Sequence, residues 1–197
     1  MSTLRLEAFT GDAAKPYISE LARLRMTIFR DFPYLYEGSL EYEEKYLSIY
    51  TASPDSFLAI VFDEDKVVGA TTAIPLLQET EEFKQPFIEH GYDLSKIFYF
   101  GESLLYPQYR GQGIGVKFFE EREKQAKIYG ATLAAFCAVE RPEDHPLQPP
   151  GYQPLHSFWR KRGFERKPDL QTMYSWKDVG DEVETPKPMI FWLKQLS

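Results

Sequence analysis

The stretch YRGQGIGVKFFEEREKQAKIYG, residues 109–130, does most to limit what this chain can become. Three alternating glycines, Gly111, Gly113 and Gly115, separate an apolar run, IFYFGESLLY (97–106), from a charged run with helical periodicity. Glycine costs about 1 kcal/mol relative to alanine inside a helix. It is useful where main chain must come close to something else. Over 113–130 the residues Ile114, Phe118, Phe119, Ala126 and Tyr129 form one apolar stripe. Glu120 with Lys124, and Glu123 with Lys127, have the favourable i,i+4 order, and Gly130 ends the run. The local order is therefore strand, glycine turn, helix. Such a turn aims unpaired N–H groups and the positive end of the helix at one point, which suits an anion and most naturally phosphate. A tight turn without a ligand uses the same residues. A P-loop is excluded, because Gly115 is followed by Val116-Lys117-Phe118 rather than Lys-Ser/Thr. A dinucleotide fingerprint fails as well: counted from Gly111, its third glycine would stand at Val116.

The remaining elements follow from periodicity. Residues 3–9, TLRLEAF, alternate as a first strand. Residues 15–30 place Ile18, Leu21, Ala22, Arg25, Ile28 and Phe29 near one helical face. Residues 29–50 carry seven aromatics, and Tyr42, Tyr46, Ile49 and Tyr50 have helical spacing. Those aromatics suit either a core face, the preferred reading, or the wall of a substrate pocket. FLAIVF (57–62) and VVGATTAI (67–74), joined by Asp63-Glu64-Asp65-Lys66, predict an antiparallel hairpin. The polar stretch 78–96 predicts helix and loop. TLAAFCAV (132–139) predicts a buried strand, and 140–154, with five prolines, a loop. LHSFWRKRGF predicts a short helix stopping at Gly163; TMYSW (172–176) and MIFWL (189–193) predict late strands. No repeat, low-complexity tract or linker divides the chain, so residues 1–197 are expected to form a single domain.

Composition narrows the function classes. A net charge of -7 argues against nucleic acid as the main partner, and gives weak support to cationic substrates. No apolar run reaches the roughly 18 residues of a membrane span, and MSTLRLEAF lacks the regions of a secretory signal, so a cytoplasmic protein is expected. Cys137 is the only cysteine, cannot form an intrachain disulfide, and reads as an inert core thiol. No metal site is expected.

Arg110 to Gly115, R-G-Q-G-I-G, resembles motif A of the GNAT superfamily of acyl-CoA-dependent N-acyltransferases, Q/R-x-x-G-x-G/A, with Arg110, Gly113 and Gly115 at the defining positions. Leu105-Tyr106-Pro107-Gln108-Tyr109 resembles the end of that family's fourth strand. W-R-K-R-G-F within 155–164 resembles its later Y-x-K-x-G-F signature, and Gly69 after two valines matches its third strand. In element order the resemblance spans roughly 3–193. It implies an α/β fold: a mixed, mostly antiparallel sheet of six or seven strands flanked by helices, with the fourth and fifth strands splayed around the cofactor's pantetheine arm. It implies acetyl-CoA as acyl donor, with its pyrophosphate cradled by the main chain of Arg110, Gly111, Gln112, Gly113, Ile114 and Gly115. A side chain at any of the three glycines would stand between that cradle and the phosphates. Arg110 either adds charge to it or forms a salt bridge.

The implied reaction is transfer of an acetyl group to a primary amine of a small molecule or peptide, by direct attack in a ternary complex. An alkyl ammonium titrates near 10.4, so a base must take its proton. The oxyanion needs a donor, which an N–H near Leu104 or Leu105 would supply. Glu102, an acid inside an apolar strand, is the leading base, with a solvated strand face as the alternative. Glu140 is the second candidate. Asp144, His145 and His156 read as surface residues. Where the family often has a tyrosine acid, this chain has Trp159, and indole cannot usefully protonate a thiolate. Tyr152 is a conceivable substitute, and a thiolate can also leave unaided. Trp159 keeps open a second class of function, a catalytically silent acyl-CoA-binding module. A nucleotide-binding protein is a third. The expected partner is a small-molecule or peptide amine, the expected assembly a monomer or homodimer.

Overall fold

The structure is a computed structural model, described over residues 4–197. Thr3, the first residue of the anticipated N-terminal strand, lies outside the described residues. Seven strands form one mixed sheet: β1 (Arg5–Phe9), β2 (Phe57–Asp63), β3 (Lys66–Pro75), β4 (Ile97–Leu105), β5 (Leu133–Val139), β6 (Glu165–Trp176) and β7 (Thr185–Gln195). Their spatial order is β1-β2-β3-β4-β5-β7-β6, and β4 with β5 is the parallel pair. Five helices flank it: α1 (Ile18–Ile28), α2 (Leu40–Ala52), α3 (Glu81–Glu89), α4 (Ile114–Tyr129) and α5 (His156–Lys161).

Alternation divides the sheet's side chains between two cores. One face carries Leu58, Ile60, Ile74, Tyr99, Cys137 and Phe191 and is covered by α1, α2 and α3 through Leu21, Leu47 and Phe87. The other carries Phe57, Phe98, Phe100, Phe136 and Trp192 and is covered by α4 and α5 through Phe119, Ala126 and Phe158. Because β2, β3 and the first half of β4 are buried on both faces, their sequences read as continuous apolar runs. Full burial of a phenylalanine such as Phe98 contributes about 1.5–3 kcal/mol.

The late strands are longer than their apolar stretches indicate. β6 begins at Glu165 rather than 172, and its pairing with β7 breaks between Lys167 and Gln171, around Pro168. Proline without an N–H is tolerated there because β6 is an edge strand and the ladder is already interrupted. β7 begins at Thr185 rather than 189, ahead of Pro186 and Pro188. At Pro188 the neighbouring ladder uses only the carbonyl, which accepts from Glu140 N–H at 3.0 Å.

Among the described residues no helix is long and apolar enough to cross a membrane. One acid is placed at a cost inside the first core. Glu79, 3% exposed, accepts from Thr80 N–H at 2.9 Å, and the Tyr50 hydroxyl lies 3.5 Å from its other oxygen. Burial lifts this carboxyl to about 7, against the pull of the Thr80 bond. The folded state therefore holds a proton that the unfolded chain releases, and stability falls as pH rises from about 4.5 to 7. Glu79→Gln keeps an acceptor for Thr80 and removes the titration. It should gain stability over the parent by up to about 3 kcal/mol between pH 5 and pH 8, measured by urea unfolding at both pH values. A constant difference would remove Glu79 as the source.

Candidate functional site

The site begins with an irregularity in β4. Thr71 pairs with Ser103 and Ala73 with Phe100, so Gly101 and Glu102 together face Thr72 alone. This β-bulge bends the strand. Two threonines of β3 hold it: the Thr71 hydroxyl donates to Glu102 C=O at 2.6 Å, and Glu102 N–H donates to the Thr72 hydroxyl at 3.2 Å. Gly101 is required because a Cβ there would lie 2.2 Å from the Tyr50 hydroxyl oxygen and 2.5 Å from Thr72 Oγ1. From behind, Arg122 of α4 lies against the rings of Phe100 and Phe119, with Nη1 3.4 Å from Glu102 C=O.

The bulge has two consequences. It shifts the alternation by one residue: strict alternation would put Glu102 beside Phe98 and Phe100 under α4, but the bulge turns it to the α1 and α2 side, with Tyr99 and Leu104. It also ends the parallel pairing. β4 and β5 are joined only at Ile97–Leu133, Phe98–Ala134 and Tyr99–Ala135, and beyond these the strands diverge.

A cavity of about 610 Å³ lies on the α1 and α2 side of this divergence, with Tyr99, Gly101, Glu102 and Cys137 among its lining residues. Glu102's side chain is 4% exposed. Its Oε2 is ion-paired with Arg25 Nη1, while its Oε1 has no hydrogen-bond partner among the described residues. Arg25, on α1, also pairs through Nε with Glu43 of α2, whose second oxygen accepts from the Tyr36 hydroxyl at 2.5 Å. Burial pushes the Glu102 carboxyl up, and Arg25 offsets this only in part. Burial acts against the Arg25 charge too, but Glu102 and Glu43 outweigh it and hold the guanidinium protonated.

The glycine turn lies on the α4 side. Gly111 and Gly113 have φ of +77° and +80°, a conformation that favours glycine, and a Cβ on either would meet nothing within 4 Å. The N–H groups of residues 111–115 have no hydrogen-bond acceptor among the described residues. They begin α4, whose N-cap, Gly113, has no capping side chain. An open cradle of free donors at a helix N-terminus fits a pyrophosphate. Gly115 has a different reason to be glycine: its Cβ would lie 3.3 Å from Phe158 Cζ, so its absence lets α5 approach α4. Ile114 is buried among Val61, Val68 and Phe118, and Gln112 is exposed. Arg110 makes no salt bridge among the described residues; its Nε donates to Leu105 C=O at 3.2 Å. Tyr106 N–H donates to Val68 C=O at 3.1 Å, so by alternation the main chain of Leu104 faces β3 and that of Leu105 faces the gap.

No family model and no curated protein matches the chain. Solved structures do. A candidate acetyltransferase from Acinetobacter baylyi ADP1 superposes with a TM-score of 0.65 at 12% identity, over 100% of this chain and 93% of that one. An acetyltransferase of the GNAT family from Streptococcus pneumoniae gives 0.56 at 13%, over 99% and 100%. A candidate acetyltransferase from Salmonella typhimurium, yncA, solved with its cofactor acetyl-CoA, gives 0.56 at 11%, over 98% and 95%. This chain has the GNAT fold.

Within the GNAT fold the other candidates are dispersed. Glu140, past the end of β5, is ion-paired with Arg166, 37% exposed, and outside the cavity lining. Trp159, half-buried on α5, packs on Phe136 and Trp192 at the edge of the second core, with ring centroids 5.0 and 5.1 Å away. His156 is half-buried against the same two tryptophans rather than free on the surface. His145 and Tyr152 both pack on Phe32, and Asp144 is exposed. Cys137 is buried, its thiol pushed up to about 12 by burial, with the Tyr99 hydroxyl 3.2 Å away. The aromatics of 29–50 serve both roles open to them: Phe29, Tyr34, Tyr36, Tyr42 and Tyr46 line the cavity, while Tyr50 is fully buried.

Sequence reasoning did not single out Arg25, Glu43 or Arg122 as functional residues. Each stands on an apolar helical stripe: Arg25 among Leu21, Ala22 and Ile28, Glu43 ahead of Tyr46 and Tyr50, Arg122 between Phe118 and Ala126. A charge on a buried face was the available signal. Gly101→Ala should cost about 1–3 kcal/mol, because Tyr50 and Thr72 are buried and cannot give way. Urea unfolding checks this, and an alanine variant as stable as the parent would mean that the bulge does not need its glycine.

Proposed function

We propose that the protein is an acetyl-CoA-dependent N-acetyltransferase acting on a primary amine, with Glu102 as its general base. The observation that carries this reading is the unpartnered Oε1 of a buried carboxylate at the cavity wall. A buried acceptor without a donor costs about 1–3 kcal/mol. An incoming ammonium, or a water hydrogen-bonded to it, supplies that donor. The N–H groups of residues 111–115 would hold the cofactor's pyrophosphate, and the gap between β4 and β5 would admit its pantetheine arm. Bound acetyl-CoA supplies the activated acetyl group. Glu102 accepts the proton of the ammonium and leaves a neutral amine able to attack. Arg25 keeps the carboxylate oriented, and burial brings its acidity nearer to neutrality, where a base is efficient. The gap-facing N–H of Leu105 is available to developing negative charge.

Trp159 supports a second reading, an acyl-CoA-binding module without turnover, since it occupies the place of the expected acid and its ring is committed to packing. Thiol release from acetyl-CoA across a panel of amines separates the two. Turnover supports the enzyme; tight binding without turnover supports the module.

Acetyl-CoA at 100 times its dissociation constant should stabilise the fold by about 2.7 kcal/mol, and ATP should not. Gly113→Glu should abolish the shift, while Gly113→Ala, which bears the same backbone strain, should retain part of it. A full shift with the glutamate variant would overturn the cradle assignment.

Glu102→Gln should lower kcat at neutral pH by about 100- to 10,000-fold, with acetyl-CoA affinity near that of the parent. The loss should shrink as pH approaches the amine's own pKa, where the amine deprotonates unaided. A pH–rate profile of both proteins reads this out, and an unchanged neutral rate would move the role to bulk water.

A further inference from the structure

We infer that the acceptor is a diamine or longer oligoamine: one amine meets Glu102 inside the cavity while a second ammonium is held at the rim by Glu182 and Glu184. This deepens the acetyltransferase reading and rests on it. The carboxylate and cationic side chains lining the cavity are four acids, Glu37, Glu102, Glu182 and Glu184, and two bases, Arg25 and Lys177. Arg25 is taken up by two carboxylates, and Glu37 is engaged by Arg30 at 2.9 Å. Glu182 and Glu184 are different. Both are exposed, both belong to the connection between β6 and β7, and neither has an ion pair among the described residues. Against them stands Lys177 of the same lining, which has no ion pair among the described residues. The rim thus keeps a negative excess, and the wall keeps the orphaned Oε1 of Glu102, a buried acceptor that wants an N–H donor.

The same cavity is walled largely by rings. Phe29, Tyr36, Tyr42, Tyr46, Tyr174 and Trp176 line the cavity. Ring faces accept methylene groups by burial and ammonium groups through the quadrupole, at about 0.5–2 kcal/mol for a well-placed cation. A polymethylene spacer between two ammonium groups matches that combination of surfaces, carboxylates at the wall and rim and rings in the same lining. A monoamine leaves the rim acids unused. A peptide N-terminus would bring main-chain amides to a lining whose Tyr36, Tyr42 and Tyr174 hydroxyls are already engaged, the first with Glu43 and the other two with each other.

The test is calorimetric titration of the full chain, without cofactor, using 1,8-diaminooctane, n-octylamine and a trialanine amide with a free N-terminus. The diamine should bind at least about tenfold more tightly than the monoamine, and added salt should narrow the difference. The double variant Glu182→Gln/Glu184→Gln should bind the diamine no more tightly than the monoamine. Equal binding of the two amines, a preference that survives the double variant, or tightest binding of the peptide would each overturn the inference. Acetyl transfer is read separately. Diamine binding as expected with no transfer from acetyl-CoA leaves the oligoamine site standing and removes the acetyltransferase reading. Transfer to monoamine or peptide as readily as to diamine does the reverse.

Discussion

Two residues of β4 oppose one residue of β3, and much of the site's geometry follows from that mismatch. The bulge at Gly101–Glu102 bends the central strand just where its parallel partner is lost, so a gap opens in the middle of an otherwise continuous sheet. The same extra residue reverses which face the following side chains occupy. Leu104 then joins the core beneath α1 and α2, Leu105 packs toward Ile114, and Glu102 meets Arg25. The bulge is itself tied to α4 by Arg122, whose guanidinium burial lowers to about 9, with Glu102 the chief opposing influence. Since α4 begins at the glycine turn, one helix carries that turn at its N-terminus and supports the bulge carbonyl two turns later.

The first core is unusual in its charge balance. Glu43, Glu79 and Glu102 are all buried near Arg25, and Arg25 is shared by two of them. Buried carboxylates are retained only when paired, hydrogen-bonded or protonated. Each of these three has a different solution. Glu43 takes Arg25 and the Tyr36 hydroxyl, which complete its two oxygens. Glu79, with no cation in contact, is driven toward its neutral form. Glu102 receives half of what it needs, Arg25 on one oxygen and, among the described residues, nothing on the other. The incompletely satisfied acid is the one that borders the cavity, whereas the other two lie outside its lining.

Much of this architecture is legible in the sequence, and the parts that are not have a common cause. β2 through β5 can be located because a strand buried on both faces must be apolar throughout, and the glycine turn because φ near +80° at residues 111 and 113 tolerates little else. The start of β6 is hidden because an edge strand can carry Glu165, Lys167, Pro168 and Asp169. The facing of Glu102 is hidden because a bulge is one residue of register, invisible to a period-two pattern. Gly101 was its only local trace. The purpose of Gly115 is likewise a tertiary fact, the approach of Phe158 from 43 positions along the chain.

The proline-rich connection after β5 has a similar hidden role, and Arg141 explains it. Its Nε donates to Pro33 C=O at 2.8 Å, its Nη2 to Tyr34 C=O at 2.7 Å, and its two terminal nitrogens grip the Asp178 carboxylate at 2.8 and 2.9 Å. Lys187 reaches the same carboxylate at 3.2 Å, and Trp176 Nε1–H donates to Tyr34 C=O at 2.9 Å. One arginine therefore joins the exit of β5 to the segment before α2 and to the connection between β6 and β7. Residues of the last two segments line the cavity: Tyr34, Tyr36 and Glu37 from one, Lys177, Glu182 and Glu184 from the other. Bidentate pairing fixes direction as well as distance, so the walls that carry the aromatic rings and the rim acids are held in register with the strand that opens the gap. The cavity is a tertiary assembly: chain segments more than 100 residues apart must be fastened together before its rings, its rim and Glu102 face a common space.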